Sequence, residues 1–249
     1  MQINWKRTLV VVIDLVIAVY LVLAISAFNE PDEKATVCTE VNIQVGDQEE
    51  GLLSPADVKH LLERQRLYPL AQPLQFVSTR DIEESLLANP YVEAVECYKT
   101  QNGHVRINLT QRQPVLHVMA ESGEQYYVDV HGDILPHGRQ AGNLLVATGS
   151  ISRQYASRRL APIARQILGD PFWQAQTCQL NVLADGTLEL VPRVGEHVIY
   201  LGVPRGIEKK LERMRKFYKY GLSHAGWNRY ERISVEFDNQ IICKKKVKQ

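Results

Sequence analysis

Residues 89–111 read NPYVEAVECYKTQNGHVRINLTQ, and within them the chain changes its period. Upstream, apolar residues recur at helical spacing; from Tyr91 onward they alternate. Asn89-Pro90 ends the helix, because proline pushes the residue before it out of the helical region. Residues 91–98 then read as a strand with Val95 and Cys97 on one face. Asn102-Gly103 marks a hairpin whose two central residues are both expected at positive φ. Val105, Ile107 and Leu109, alternating with Arg106, Asn108 and Thr110, make the returning strand.

Working back, Ser78-Thr79-Arg80-Asp81 opens the helix that Asn89-Pro90 closes, and Ile82 and Leu86 face inward. Ser54-Pro55-Ala56-Asp57 opens an earlier helix with a serine cap, proline at the first helical position and an acid in the first turn. Val58, Leu61, Leu62 and Gln65 define its inner face. A first strand is expected at residues 36–45, where Val37, Val41, Ile43 and Val45 alternate. Residues 35–113 therefore form a β-α-α-β-β domain, a three-stranded sheet covered on one face by two helices.

Further back, residues 8–28 are almost unbroken Leu, Val, Ile and Ala. These 21 residues would span about 30 Å as a helix, the thickness of a bilayer's hydrocarbon core. Lys6 and Arg7 precede the run, and Glu30, Asp32 and Glu33 follow it, so residues 1–7 stay cytoplasmic and the rest is exported. A cleaved signal peptide is the other reading, since Ala24-Ile25-Ser26 offers small residues, but the apolar run exceeds the usual 7–15. Asp14 either contacts another membrane helix or is an acid tolerated near the interface. Residues 29–34, polar and containing Pro31, read as a linker.

Downstream the chain is rich in strands. Residues 126–130 and 134–135 flank the turn His131-Gly132-Asp133, and a helix is expected from 152 to 168, ending at Gly169. Strands follow at 177–183 and 187–191, joined by Asp185-Gly186, and at 197–201. Residues 206–220 form an amphipathic helix with Ile207, Leu211, Met214 and Tyr218 on one stripe. Residues 233–237, the turn Asp238-Asn239 and a last strand at 240–243 complete a second domain over 114–243, and 244–249 form a basic tail. The fold class is α+β: one transmembrane helix, a β-α-α-β-β domain, and a strand-rich mixed second domain.

Removing Lys6, Arg7 and Asp14 from 29 basic and 28 acidic residues leaves 27 against 27, so the exported body has no net pull on nucleic acid. Cys38, Cys97, Cys178 and Cys243 are too scattered for a zinc or thioredoxin-like motif; buried free thiols are expected, with a disulfide the alternative in an exported chain. No nucleophile elbow or phosphate-cradling loop is present. His131, His137 and His197 read as structural or surface residues, and Glu49/Glu50 and Glu83/Glu84 as loop and helix-surface acids. No catalytic, metal, cofactor or small-molecule site is expected.

This order of parts resembles the cell-division family FtsQ, called DivIB in other bacteria. The likeness rests on Asn89-Pro90-Tyr91-Val92, on residues 105–110, on Arg112-x-Pro114-Val115, and on Val128-Asp129-x-x-Gly132. It rests also on the ending, a Lys- and Arg-rich helix followed by residues 233–239. The first domain resembles the family's polypeptide-transport-associated (POTRA) domain. Gln111 stands where the family has an acid before Arg112, which weakens an ion-pair role there.

The resemblance implies a non-enzymatic scaffold of the division septum in the inner membrane, recruiting two small bitopic coiled-coil partners, FtsB (or DivIC) and FtsL. Partner contact is assigned to Tyr230, Arg232, Gln240, Ile241, Ile242 and Cys243, with Arg215, Lys216 and Lys219 on the preceding helix. A terminal strand with a free edge can accept a partner strand through backbone hydrogen bonds. Asn89, Pro90, Val92, Arg112, Pro114, Asp129 and Gly132 are expected to stop a helix, close a sheet and form turns. The alternatives are a POTRA-type receptor for exported polypeptides and a membrane-anchored cell-wall hydrolase.

Overall fold

The computed structural model describes residues 5–29, 36–46, 52–138 and 144–246. Linker residues 30–34, Glu49, Glu50, Lys248 and the first four residues lie outside the described residues. Two compact units are present: Met1–Gln44 with Pro55–Leu86 and Val95–Leu109, and Val45–Ser54 with Leu87–Ala94 and Thr110–Gln249.

Helix α1 runs Trp5–Asn29, 25 residues without a break. Among the described residues no helix is long and apolar enough to cross a membrane. Asp14 lies exposed on this helix.

The first unit has the expected order: β1 (Glu40–Val45), α2 (Pro55–Arg64), α3 (Thr79–Leu87), β2 (Val92–Lys99) and β3 (His104–Gln111). Its sheet runs β1-β3-β2. The helices bury Val58, Leu62, Ile82 and Leu86, and the middle strand buries Val105, Ile107 and Leu109 on one face. Ser78 Oγ caps α3 by accepting from the Asp81 amide at 3.2 Å.

Three details differ. Strand β1 starts at Glu40, and Val37 instead makes an isolated bridge to Pro73. Gln65 is exposed, because α2 ends at Arg64. The β2–β3 turn takes four residues, closed by the Thr100 amide on His104 O at 2.8 Å. Only Gly103 of the Asn102-Gly103 pair has positive φ, at 80°.

The second unit holds β4 (Pro114–Ala120), β5 (Gln125–Asp129), β6 (Ile134–Pro136) and β7 (Leu145–Gly149). Helices α4 (Arg153–Tyr155), a π-helical segment Ala156–Leu160, α5 (Ala161–Leu168) and α6 (Pro171–Gln176) follow. Then come β8 (Thr177–Val182), β9 (Leu188–Pro192), β10 (Val198–Gly202), α7 (Ile207–Phe217), a second π-helical segment Tyr218–Leu222, and α8 (Ser223–Ala225). Strands β11 (Tyr230–Ser234) and β12 (Ile242–Lys245) end the described chain.

One nine-stranded sheet runs β12-β11-β10-β9-β8-β7-β4-β5-β6. The pairs β4/β7, β7/β8 and β10/β11 are parallel. The helical crossovers after β7 and β10 make such neighbours reachable, since parallel strands need a long connection. The expected stripe on α7 is buried, with Ile207, Leu211, Met214 and Tyr218 each at 4% exposure or less.

The ending is corrected in register. Strand β11 stops at Ser234, short of the expected 237, and Phe237 is half exposed. Gln240 and Ile241 precede the last strand, which instead takes in Lys244 and Lys245, two residues of the expected tail. Between β11 and β12 the Arg213 guanidinium of α7 binds the carbonyls of Val235 and Asp238.

Candidate functional site: the free edge of the second sheet

Among the described residues, strand β12 hydrogen-bonds on one side alone, to β11, in the register Arg232↔Lys244, Ile233↔Cys243 and Ser234↔Ile242. The Lys246 amide donates to Arg229 O at 3.2 Å. Successive residues of a strand aim their backbone groups to opposite sides. Ile242 and Lys244 therefore face β11, and the N–H and C=O of Cys243 and Lys245 face outward. Strand β11 agrees: the Val235 amide bonds Tyr200 O at 3.0 Å, so Ile233 and Val235 face β10 while Arg232 and Ser234 face β12.

Side chains on this edge alternate as well. Ile241 and Cys243 pack, partly buried, against the core, whereas Ile242 is 49% exposed. Tyr230 is half-buried against the same core. Arg232 lies over the Tyr200 ring, 4.2 Å from its centroid, and pairs with Glu189 at 3.1 Å. Lys244 pairs with Glu231 and Lys246 with Glu196. Gln240 is exposed in the preceding turn.

The three cations assigned to the preceding helix already have company. Arg215 pairs with Asp170 and lies over the Phe172 ring; Lys216 pairs with Glu212 at 2.7 Å; Lys219 lies over Tyr220. Arg213, not singled out by sequence, does more for the edge than any of them. Its polar contacts are to backbone far along the chain, a pattern with no local signature.

The opposite border of the sheet is short and partly covered. Strand β6 has three residues, ends in Pro136, which has no amide hydrogen, and gives Pro136 O to the Tyr91 hydroxyl at 3.1 Å. Asn89 Oδ1 accepts from the Tyr91 amide at 3.1 Å, fixing the chain just past α3. Pro90 is exposed and Val92 buried.

The remaining motif residues converge on one network. Arg112 donates to Asp129 at 3.0 Å and to Asp133, while the Asp129 carboxylate accepts the amides of His131 and Asp133 at 2.9 and 2.8 Å. The ion-pair role thought weakened by Gln111 is thus filled from across the sheet. Gln111 is itself buried, accepting from the Leu53 amide at 2.8 Å and donating to Gly46 O at 3.2 Å. Pro114 opens β4 opposite Asp129. Gly132, at φ 93°, packs where a Cβ would meet Ser157 O at 2.8 Å.

Other polar groups are structural in their surroundings. His197 is buried and shares a 2.8 Å hydrogen bond with the Tyr218 hydroxyl; burial lowers its pKa, and Lys246 adds to that. His131 pairs with Glu93 at 3.4 Å, and His137 stacks on His117. All four cysteines are free thiols, and Cys178 is exposed rather than buried. Burial first and Glu83 second push the Cys97 thiol up to about 12. Among the described residues no group of three or more His, Cys, Asp or Glu side chains could hold a metal ion.

The family described as FtsQ/DivIB, C-terminal related, matches residues 113–244, more than half the chain. The chain belongs to the FtsQ/DivIB family. A POTRA-like domain matches residues 36–110, the β-α-α-β-β unit of the fold. No curated protein matches the chain. FtsQ/DivIB proteins are components of the cell-division machinery that interact with other division proteins, and the family is in general non-enzymatic.

Proposed function

We propose that the chain is a bitopic scaffold of the division septum that recruits or links small coiled-coil division proteins, of the FtsB/DivIC and FtsL types, through the outer edge of β12. The observation that carries this reading is the asymmetry of the sheet. At one border the backbone groups of Cys243 and Lys245 face away from β11, and at the other Pro136 and Tyr91 leave little to pair with. An incoming strand could continue the ladder at β12, with alternate side chains supplying specificity. Tyr230 and Arg232 are residue types favoured as interface anchors.

Anchoring in the inner membrane belongs to the same proposal. Helix α1 exposes apolar side chains on every side, among them Leu9, Val12, Ile13, Leu15, Val16 and Val22, each at least about half exposed. A helix apolar all round needs a non-aqueous surround. The run of 21 residues in the sequence matches a bilayer, and Lys6 and Arg7 keep the short amino terminus in the cytoplasm. The bulk of the chain then lies outside the cytoplasmic membrane, at the septum.

Deleting residues 238–249 tests the edge. The expected result is loss of co-purification with co-expressed FtsB/DivIC-type and FtsL-type proteins, while the first eight strands of the large sheet keep their fold. Retention of those proteins by the truncated chain would refute docking at β12.

A further inference from the structure

Past the rung Tyr200↔Ser234 the parallel ladder between β10 and β11 stops, and two side chains of α7 bind carbonyls of the segments just beyond it. Lys210 Nζ, buried, donates to Leu201 O at 2.7 Å and to Val203 O at 2.8 Å. Arg213 stands three residues on, so both lie on one face of the helix. Its Nη2 donates to Val235 O at 2.7 Å, its Nη1 donates to Asp238 O, and Nη1 lies 3.6 Å from the Asp238 carboxylate. The Arg213 side chain is 19% exposed, whereas the Asp238 side chain, at 86%, is open to water.

We propose that Arg213 is a positioning residue for the docking edge: its fork pins two points of the 235–241 turn and so fixes the line on which β12 returns beside β11. The assignment rests on the edge reading for its functional meaning, but not for its geometry. Val235 is the last residue of this segment whose amide bonds to β10, and Ile242 is the first of β12 to pair with Ser234. Between them six residues, 236–241, must close. A turn held at its first and fourth residues has far less freedom to lose than an untethered one. The guanidinium reaches its two carbonyls from two nitrogens held in one rigid plane, whereas an ammonium, like that of Lys210, binds both of its carbonyls from a single atom on a flexible stem. Without the clamp, β12 would still carry its sequence but would fray, and the outward groups of Cys243 and Lys245 would no longer be held in pairing geometry.

The test uses the full chain in detergent, as Arg213→Ala and Arg213→Lys. Amide exchange is read at Ile242 and Lys244, which face β11, and at Leu190 and Ile199 in the inner strands. Both variants are expected to speed exchange at Ile242 and Lys244 at least about tenfold while leaving Leu190 and Ile199 within about twofold, since bonds from a charged donor are among the stronger ones. The lysine variant keeps the charge, so its failure to restore protection separates positioning from electrostatics.

Unchanged exchange at Ile242 and Lys244 would overturn the proposal. So would equal acceleration at Leu190 and Ile199, which would make Arg213 a general stabiliser. Binding of co-expressed FtsB/DivIC-type and FtsL-type proteins is measured alongside, with an expected loss of at least about tenfold in both variants. If the unaltered chain binds neither, docking at β12 falls, while the exchange rates still decide what Arg213 does.

Discussion

Asp129 is fully buried and accepts bonds from the Arg112 guanidinium and from two amides of the turn that follows it. That turn can close only because Gly132 sits at φ 93° with Ser157 O packed where a side chain would begin. Gly132→Ala is therefore expected to cost about 1–3 kcal/mol, through backbone strain and a displaced carbonyl; thermal unfolding followed by tryptophan fluorescence measures it. His197 carries a second expectation, set by its burial and its bond to Tyr218, whose own hydroxyl burial pushes up to about 12. Burial holds the His197 pKa below its ordinary 6.5. The unfolded chain then takes up the proton first, so the stabilisation is complete above about pH 6.5 and is lost as pH falls below it. Urea midpoints should drop between pH 7.5 and 5.5, and His197→Gln should flatten that drop.

Helices α2, α3 and α7 and strand β3 were legible because each carries a full period of its own and a cap or turn at its start. Strands β4 and β7 carry no clear sequence signal: β4 opens on Pro114, which has no amide hydrogen for a ladder, and residues 145–149 are a short apolar run with no alternation to read. Helix α6 is too short for periodicity, yet Asp170-Pro171 was a usable signal. Asp170 accepts the amides of Phe172 and Trp173 and pairs with Arg215, which holds its carboxyl below the ordinary range. Asp170→Ala should lower stability by about 1–2 kcal/mol, the size of a lost helix cap, and loosen Trp173 enough to shift its emission. The edge position of β12 was legible in kind but not in register. Its start is set by Arg213, a contact between α7 and a turn 22 residues away in sequence, and no local pattern encodes it.

At the scale of the whole molecule, the chain carries an apolar helix α1, a POTRA-like unit, and a nine-stranded sheet with β12 at one border and the short β6 at the other. An FtsQ/DivIB scaffold of this kind should remain in the membrane fraction after alkaline extraction and lose its bulk to protease added from outside; a mature product free in the periplasm would contradict the anchor. The central claim is that partners extend the ladder at β12. Amide exchange at Cys243 and Lys245, in the full chain with and without co-expressed FtsB/DivIC-type and FtsL-type proteins, tests it most directly. Both amides should be unprotected alone and slow by at least about tenfold on binding, with Leu190 unchanged; binding that leaves both amides fast would contradict the account.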